Sequence, residues 1–147
     1  MLFHSTRGND NNKTFEEVLM KGLADDGGLF VPDSWPQVDL DHLKSLKSFI
    51  DVAKYIVPMY THSSFSKDEV YELLDNTWHD FEEKDYLKIV DINESLSVLE
   101  LFHGPTAAFK DFGLQLAAAF FNKTLVDQNK TAIVFGATSG DTGSAAI

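Results

Sequence analysis

Phe15, Val18, Leu19 and Leu23 recur at the spacing of an amphipathic helix, and Thr14 stands three residues before Glu17 in the order of a capping box. The same grammar returns at Ser66 and Glu69, ahead of an apolar stripe made of Val70, Leu73, Leu74 and Trp78. Between them, Leu40, Leu43 and Leu46 predict a short helix. Asp51 to Tyr60 predicts a longer one, with Ala53, Ile56, Val57 and Tyr60 on one side and Pro58 as a point for a kink. Leu2-Phe3-His4 reads as a short strand before the Ser5-Thr6-Arg7-Gly8 turn, and Gly22 and Gly27-Gly28 close the first helix. Trp35-Pro36 marks an extended segment, and Phe81 to Asp85 a solvated charged connector. After it, Leu87–Ile92 and Ser97–Phe102 read as two strands around an Asn93-Glu94 turn.

The pattern changes at residue 100. Gly104-Pro105 stops the second strand, and Thr106 is placed to cap a helix running through Phe112, Leu114 and Leu116. Lys110 then falls in the first turns of that helix, near the positive end of its dipole, with Phe109 and Phe112 beside it. Dipole and desolvation would both favour a neutral amine, the form that attacks carbonyls, although an ordinary surface lysine has the same spacing. Asp111 points to a different helix face and reads as structural. Further on, Thr131–Phe135 predicts a short buried strand, followed by Gly136-Ala-Thr-Ser-Gly-Asp-Thr-Gly143 and a helix opening at Ser144. Strand, glycine-rich turn and helix start suit an anion, with hydroxyls on Thr138, Ser139 and Thr142 as extra donors; a flexible turn is the plainer alternative. The loop lacks the Gly-Lys-Ser/Thr ending of a nucleoside-triphosphate loop and the Gly-x-Gly-x-x-Gly of a dinucleotide site, so a small carboxylate or phosphate fits it better.

Charge narrows the partners. The net charge of −11 comes entirely from residues 1–100, with 20 acidic and 9 basic groups, whereas residues 101–147 hold three of each. Such a surface argues against nucleic acid and anionic membranes. The absence of cysteine removes disulfides and thiolate chemistry, and the five histidines have no metal-ligand spacing, so no metal is expected. No apolar run reaches membrane-span length and no signal-peptide core opens the chain, which makes the cytoplasm the default. His103 is either part of a ligand pocket or a loop histidine bonded to backbone. Arg7 either reaches an anion or ties the N-terminal turn to the fold.

Four blocks in order resemble the threonine synthase family of fold-type II pyridoxal-phosphate enzymes. They are Ser5-Thr6-Arg7-Gly8, Gly22-Leu-Ala-Asp-Asp-Gly-Gly-Leu-Phe-Val-Pro32, Phe102-His-Gly-Pro-Thr-Ala-Ala-Phe-Lys-Asp111 and Ala137-Thr-Ser-Gly-Asp-Thr-Gly143. The resemblance implies an α/β fold: a mostly helical N-terminal domain over residues 1–92, then the beginning of a βα cofactor-binding domain over residues 93–147. It implies pyridoxal 5'-phosphate as cofactor, held as a Schiff base by Lys110, with His103 and Asp141 beside it. Thr138, Ser139, Asp141 and Thr142 match the loop that grips the substrate's α-carboxylate. Many fold-type II relatives carry Asn where Asp141 stands, and Asp is usual in threonine synthases. Whether Asp141 accepts a hydrogen bond or shapes the turn stays open, since its charge would repel a substrate carboxylate.

The implied reaction converts O-phospho-L-homoserine and water to L-threonine and phosphate, with Lys110 as the base at the α and β carbons. Enzymes of this type are several times longer than 147 residues, so the chain reads as an N-terminal fragment, inactive alone, with an exposed apolar strand edge at its last βα unit. Another fold-type II lyase, such as a serine or threonine dehydratase, and a non-catalytic cofactor-binding relative are the alternatives. The oligomeric state is not given by the sequence.

Overall fold

The computed structural model describes residues 1–82 and 86–146. The chain forms two compact units, Met1–Leu74 and Asp75–Ile147. In the first, strand β1 (Phe3–Ser5) pairs antiparallel with β2 (Phe30–Pro32), Phe3 opposite Pro32 and Ser5 opposite Phe30. Four helices accompany them: α1 (Phe15–Lys21), α2 (Leu40–Ser45), α3 (Phe49–Thr61) and α4, which spans Lys67–Thr77. Both expected capping boxes form. Thr14 Oγ1 accepts from Glu17 N–H and Glu17 accepts from Thr14 N–H, and Ser66 and Glu69 repeat the exchange. Two further free amides at the start of α1, those of Phe15 and Glu16, donate to Ser63 and Ser64 hydroxyls, which docks α1 on the end of α3.

The core of this unit is aromatic and aliphatic. Phe15 lies between Phe3 and Phe65, with ring centroids 6.3 and 6.1 Å away. Val70 and Leu74 of α4 are completely buried. Full burial of each stabilises the fold by about 1.5–3 kcal/mol relative to exposure. Helix α3 continues through Pro58 to Thr61.

A polar network holds the N-terminal turn. Asp26 accepts from Ser5 Oγ (2.6 Å), Gly28 N–H (2.9 Å) and Asn9 N–H (3.0 Å). A Cβ on Gly28 would fall 2.1 Å from Ser5 Oγ, so the approach requires glycine. The Ser5 bond is the main cause that holds the Asp26 carboxyl below its ordinary value of 3.8. Asp10 is lowered in the same way, chiefly by the Lys21 ammonium at 2.6 Å. Both folded pKa values lie below the unfolded ones, so their stabilisation is complete above about pH 4 and is lost as pH falls through the folded values. Asp26→Asn should therefore lower stability at neutral pH and flatten the acid limb of unfolding free energy against pH. An unchanged acid slope in denaturant melts would contradict this assignment.

In the second unit, β3 (Lys88–Asn93) and β4 (Leu96–Glu100) form a hairpin with Val90 opposite Val98. Asn93 Oδ1 accepts from Ser95 N–H at the turn, as its side chain favours. The strand expected to reach Phe102 ends at Glu100. Helix α5 (Lys110–Asp127) follows, then the short α6 (Asp141–Ala145) in contact with α5. Trp78, Phe81 and Phe120 are buried here. For the connector predicted over Phe81–Asp85, residues 83–85 lie outside the described residues, as does Ile147.

Three expectations are corrected in this unit. Thr131–Phe135 is not a buried strand. It has no strand structure, and Ile133 and Phe135 are 94% and 99% exposed. A strand needs a neighbour, and among the described residues the strand pairs are β1–β2 and β3–β4, with one isolated bridge from Phe3 to Lys13. Helix α6 begins at Asp141 instead of Ser144, because Thr138 Oγ1 accepts from the N–H groups of Gly140 and Gly143 and closes the turn early. Thr106 does not cap α5. The helix starts after Phe109 with no side-chain cap, since Ala107 adopts a left-handed φ of 54° that interrupts any helix begun at Thr106.

Candidate functional site

Lys110 is the first residue of α5 and is half-buried. Its ammonium stands 4.3 Å from the centroid of the Phe109 ring, a cation–π contact. Phe109 is itself 57% exposed, so it meets the ammonium without shielding it from water. Phe112 turns away to Phe81, ring centroids 4.9 Å apart, so the expected flanking of the amine by two rings does not occur. Among the described residues no carboxylate forms an ion pair with Lys110. A primary amine at a helix start, with no fixed counter-ion among the described residues, fits a group that attaches to the protein through nitrogen.

His103 is held at both ends. Its ring Nε2 lies 2.8 Å from Glu100 Oε2, and its carbonyl accepts from Glu82 N–H at 3.0 Å. Glu100 is also 3.9 Å from the Lys88 ammonium directly opposite it on the hairpin. His103 is thus bonded to backbone through its carbonyl, while its ring is set by a carboxylate. Glu100 was not singled out beforehand, although it stands two residues before the Phe102–Asp111 block. Asp26 was likewise missed as the hub of the N-terminal turn. Its only local signal was its place before Gly27-Gly28.

Arg7 takes the structural option, its Nη1 donating to the Asp26 carbonyl at 2.9 Å. Thr138, Thr142, Gly143, Gly136, Val134 and Ala146 line one cavity of about 530 Å³. Within it the Thr138 oxygen is occupied by Gly140 and Gly143, leaving its own O–H to donate outward. Ser139 and Asp141 are exposed beside it, Asp141 as the first residue of α6. The structure thus gathers the 138–143 loop in one place and Lys110 with Phe109 in another. No hydrogen bond or ion pair joins the two among the described residues. Nor, among the same residues, is any helix long and apolar enough to cross a membrane.

Comparison with known proteins agrees across the chain. Residues 2–78 match the family described as "Threonine synthase N terminus". The chain is 42% identical to a threonine synthase of Schizosaccharomyces pombe, over 97% of its own length and 30% of that protein. It is 38% identical to one from Pseudomonas aeruginosa, over 100% of its length and 32% of that protein. A PLP-bound threonine synthase from Brucella melitensis, solved by X-ray crystallography, superimposes with a TM-score of 0.94 at 36% identity, covering 99% of this chain and 32% of that one. The chain therefore spans about a third of the length of the relatives it matches. With the family's N-terminal region matched over more than half of its residues and its fold shared almost throughout, this chain belongs to the threonine synthase family.

Proposed function

We propose that these residues are part of a cytoplasmic fold-type II enzyme that converts O-phospho-L-homoserine and water to L-threonine and phosphate with pyridoxal 5'-phosphate. The observation that carries this reading is Lys110, a half-buried amine at the head of α5 with no ion-pair partner among the described residues. When bound, the cofactor supplies an electron sink for carbanion chemistry. Lys110 would hold it covalently and, once free, would move protons at the α and β carbons of the substrate. Phosphate would leave from the γ carbon, the β carbon would give up a proton, the γ carbon would take one to become the methyl group, and water would add at the β carbon. Thr138, Ser139 and Thr142 orient the substrate carboxylate through their hydroxyls, with Asp141 shaping that turn. His103 and Asp141 are the contacts we assign to the cofactor's ring. Residues 1–92 serve as the N-terminal domain and 93–147 as the opening of the cofactor-binding domain.

The test is product analysis with the full-length protein, pyridoxal phosphate and O-phospho-L-homoserine. Equal amounts of threonine and phosphate are expected, and the 147-residue chain alone is expected to be inactive. Keto acid and ammonia from serine or threonine, without threonine formation, would make the enzyme a dehydratase. Cofactor binding with no product from any of these substrates would make it a non-catalytic relative.

A further inference from the structure

We propose that Asp111 is the positioning residue for the Lys110 amine, through a clamp on the loop that precedes α5. The inference rests on the assignment of Lys110 above and adds the means by which that lysine is held in place. Successive helical residues diverge by about 100°, so Asp111 cannot share the face of Lys110. Its carboxylate turns back instead. Oδ1 accepts from the Thr106 hydroxyl at 2.7 Å and Oδ2 accepts from the Thr106 N–H at 3.0 Å. Asp111 is completely buried, and both of its oxygens are used on one residue. A buried charge bonded in this way resists movement, since leaving it unpaired is costly.

Two backbone features show that the loop is built around this carboxylate. Gly104 lies so close that a Cβ there would stand 2.4 Å from Asp111 Oδ2 and 2.8 Å from its Cβ. Ala107, between the clamp's two ends, holds the left-handed φ of 54°, a conformation that persists only when its surroundings enforce it. Asp111 thus closes a short ring from Gly104 through Ala107 to the first turn of α5, and Lys110 is the residue immediately before the closing point. Among the described residues no side chain caps this helix start. If the ring opens, the first turn loses what fixes it, and Lys110 moves with it.

The experiment uses the full-length protein with Asp111→Ala, Thr106→Val and Thr106→Ser. Three quantities are measured: competitive acetic anhydride labelling of Lys110 against the other lysines without cofactor, borohydride trapping of pyridoxal phosphate at Lys110, and kcat and KM. Asp111→Ala is expected to alter the relative labelling of Lys110, and to slow trapping and lower kcat by about 100-fold, the scale set by an ångström of misplacement, with KM changing far less. Thr106→Val should move the same readouts in the same direction, and Thr106→Ser should restore them. Should Asp111→Ala fail to fold, Thr106→Val decides, because it leaves the charge and one bond in place. Labelling, trapping and kcat at unmodified values in a folded Asp111→Ala or Thr106→Val protein would overturn the proposal. Absence of trapping in the unmodified protein would instead remove the cofactor assignment, and the labelling comparison would still decide whether Asp111 sets the amine.

Discussion

Lys110→Ala is expected to abolish covalent cofactor attachment and to cut threonine formation by at least about 100-fold, the lower end of what a positioned acid–base group contributes. The loss should exceed that figure, because the same amine both anchors the cofactor and moves protons, and groups acting as a unit are lost together. Lys110→Arg separates charge from chemistry. A guanidinium can keep the contact with the Phe109 ring but stays protonated and cannot attack a carbonyl. Arginine should therefore preserve the start of α5 and its thermal stability while failing as completely as alanine in borohydride trapping and turnover. Steady-state phosphate release and peptide mapping of the reduced adduct measure both effects. Turnover within tenfold of the unmodified protein in either variant would place the chemistry on another residue.

The place of Lys110 in the first turn of α5 was legible because its neighbourhood is a contiguous block of sequence, as were the two capping boxes and the hairpin turn. In each, the interacting residues lie within a few positions and the chain supplies its own partner, so local chemistry determines the outcome. What was misread depends on partners far away or on competition between close ones. Thr131–Phe135 has the composition of a strand, yet a strand exists only beside another, and the described residues provide none. Thr106 has the residue type of an N-cap. Its hydroxyl donates to the Asp111 carboxylate, but Ala107 turns left-handed directly after it, and the helix begins four residues later. The Ser5–Asp26 bond spans 21 positions, and no periodicity announces it.

Trp78→Ala should destabilise the second unit by about 3–5 kcal/mol, the usual cost of removing a large buried aromatic side chain. Trp78 is 3% exposed, and its indole Nε1 donates at 3.1 Å to the carbonyl of Phe112, two residues after Lys110. The ring therefore fills volume and also fixes the first turn of α5, where the Phe112 ring is held against Phe81 as well. Trp78→Phe separates these roles. It keeps most of the buried surface and forfeits the indole donor, which should cost about 1 kcal/mol for the bond plus a smaller packing loss. Urea unfolding followed by far-ultraviolet circular dichroism measures both variants, and a change below about 1 kcal/mol for alanine would mean that the ring is not part of the core. The two variants also connect stability to the site. If Trp78→Phe stays folded under assay conditions yet traps cofactor at Lys110 more slowly, the bond to Phe112 acts by setting where α5 begins. If trapping is unchanged in that variant, Trp78 serves packing alone, and the placement of Lys110 rests on the loop before it.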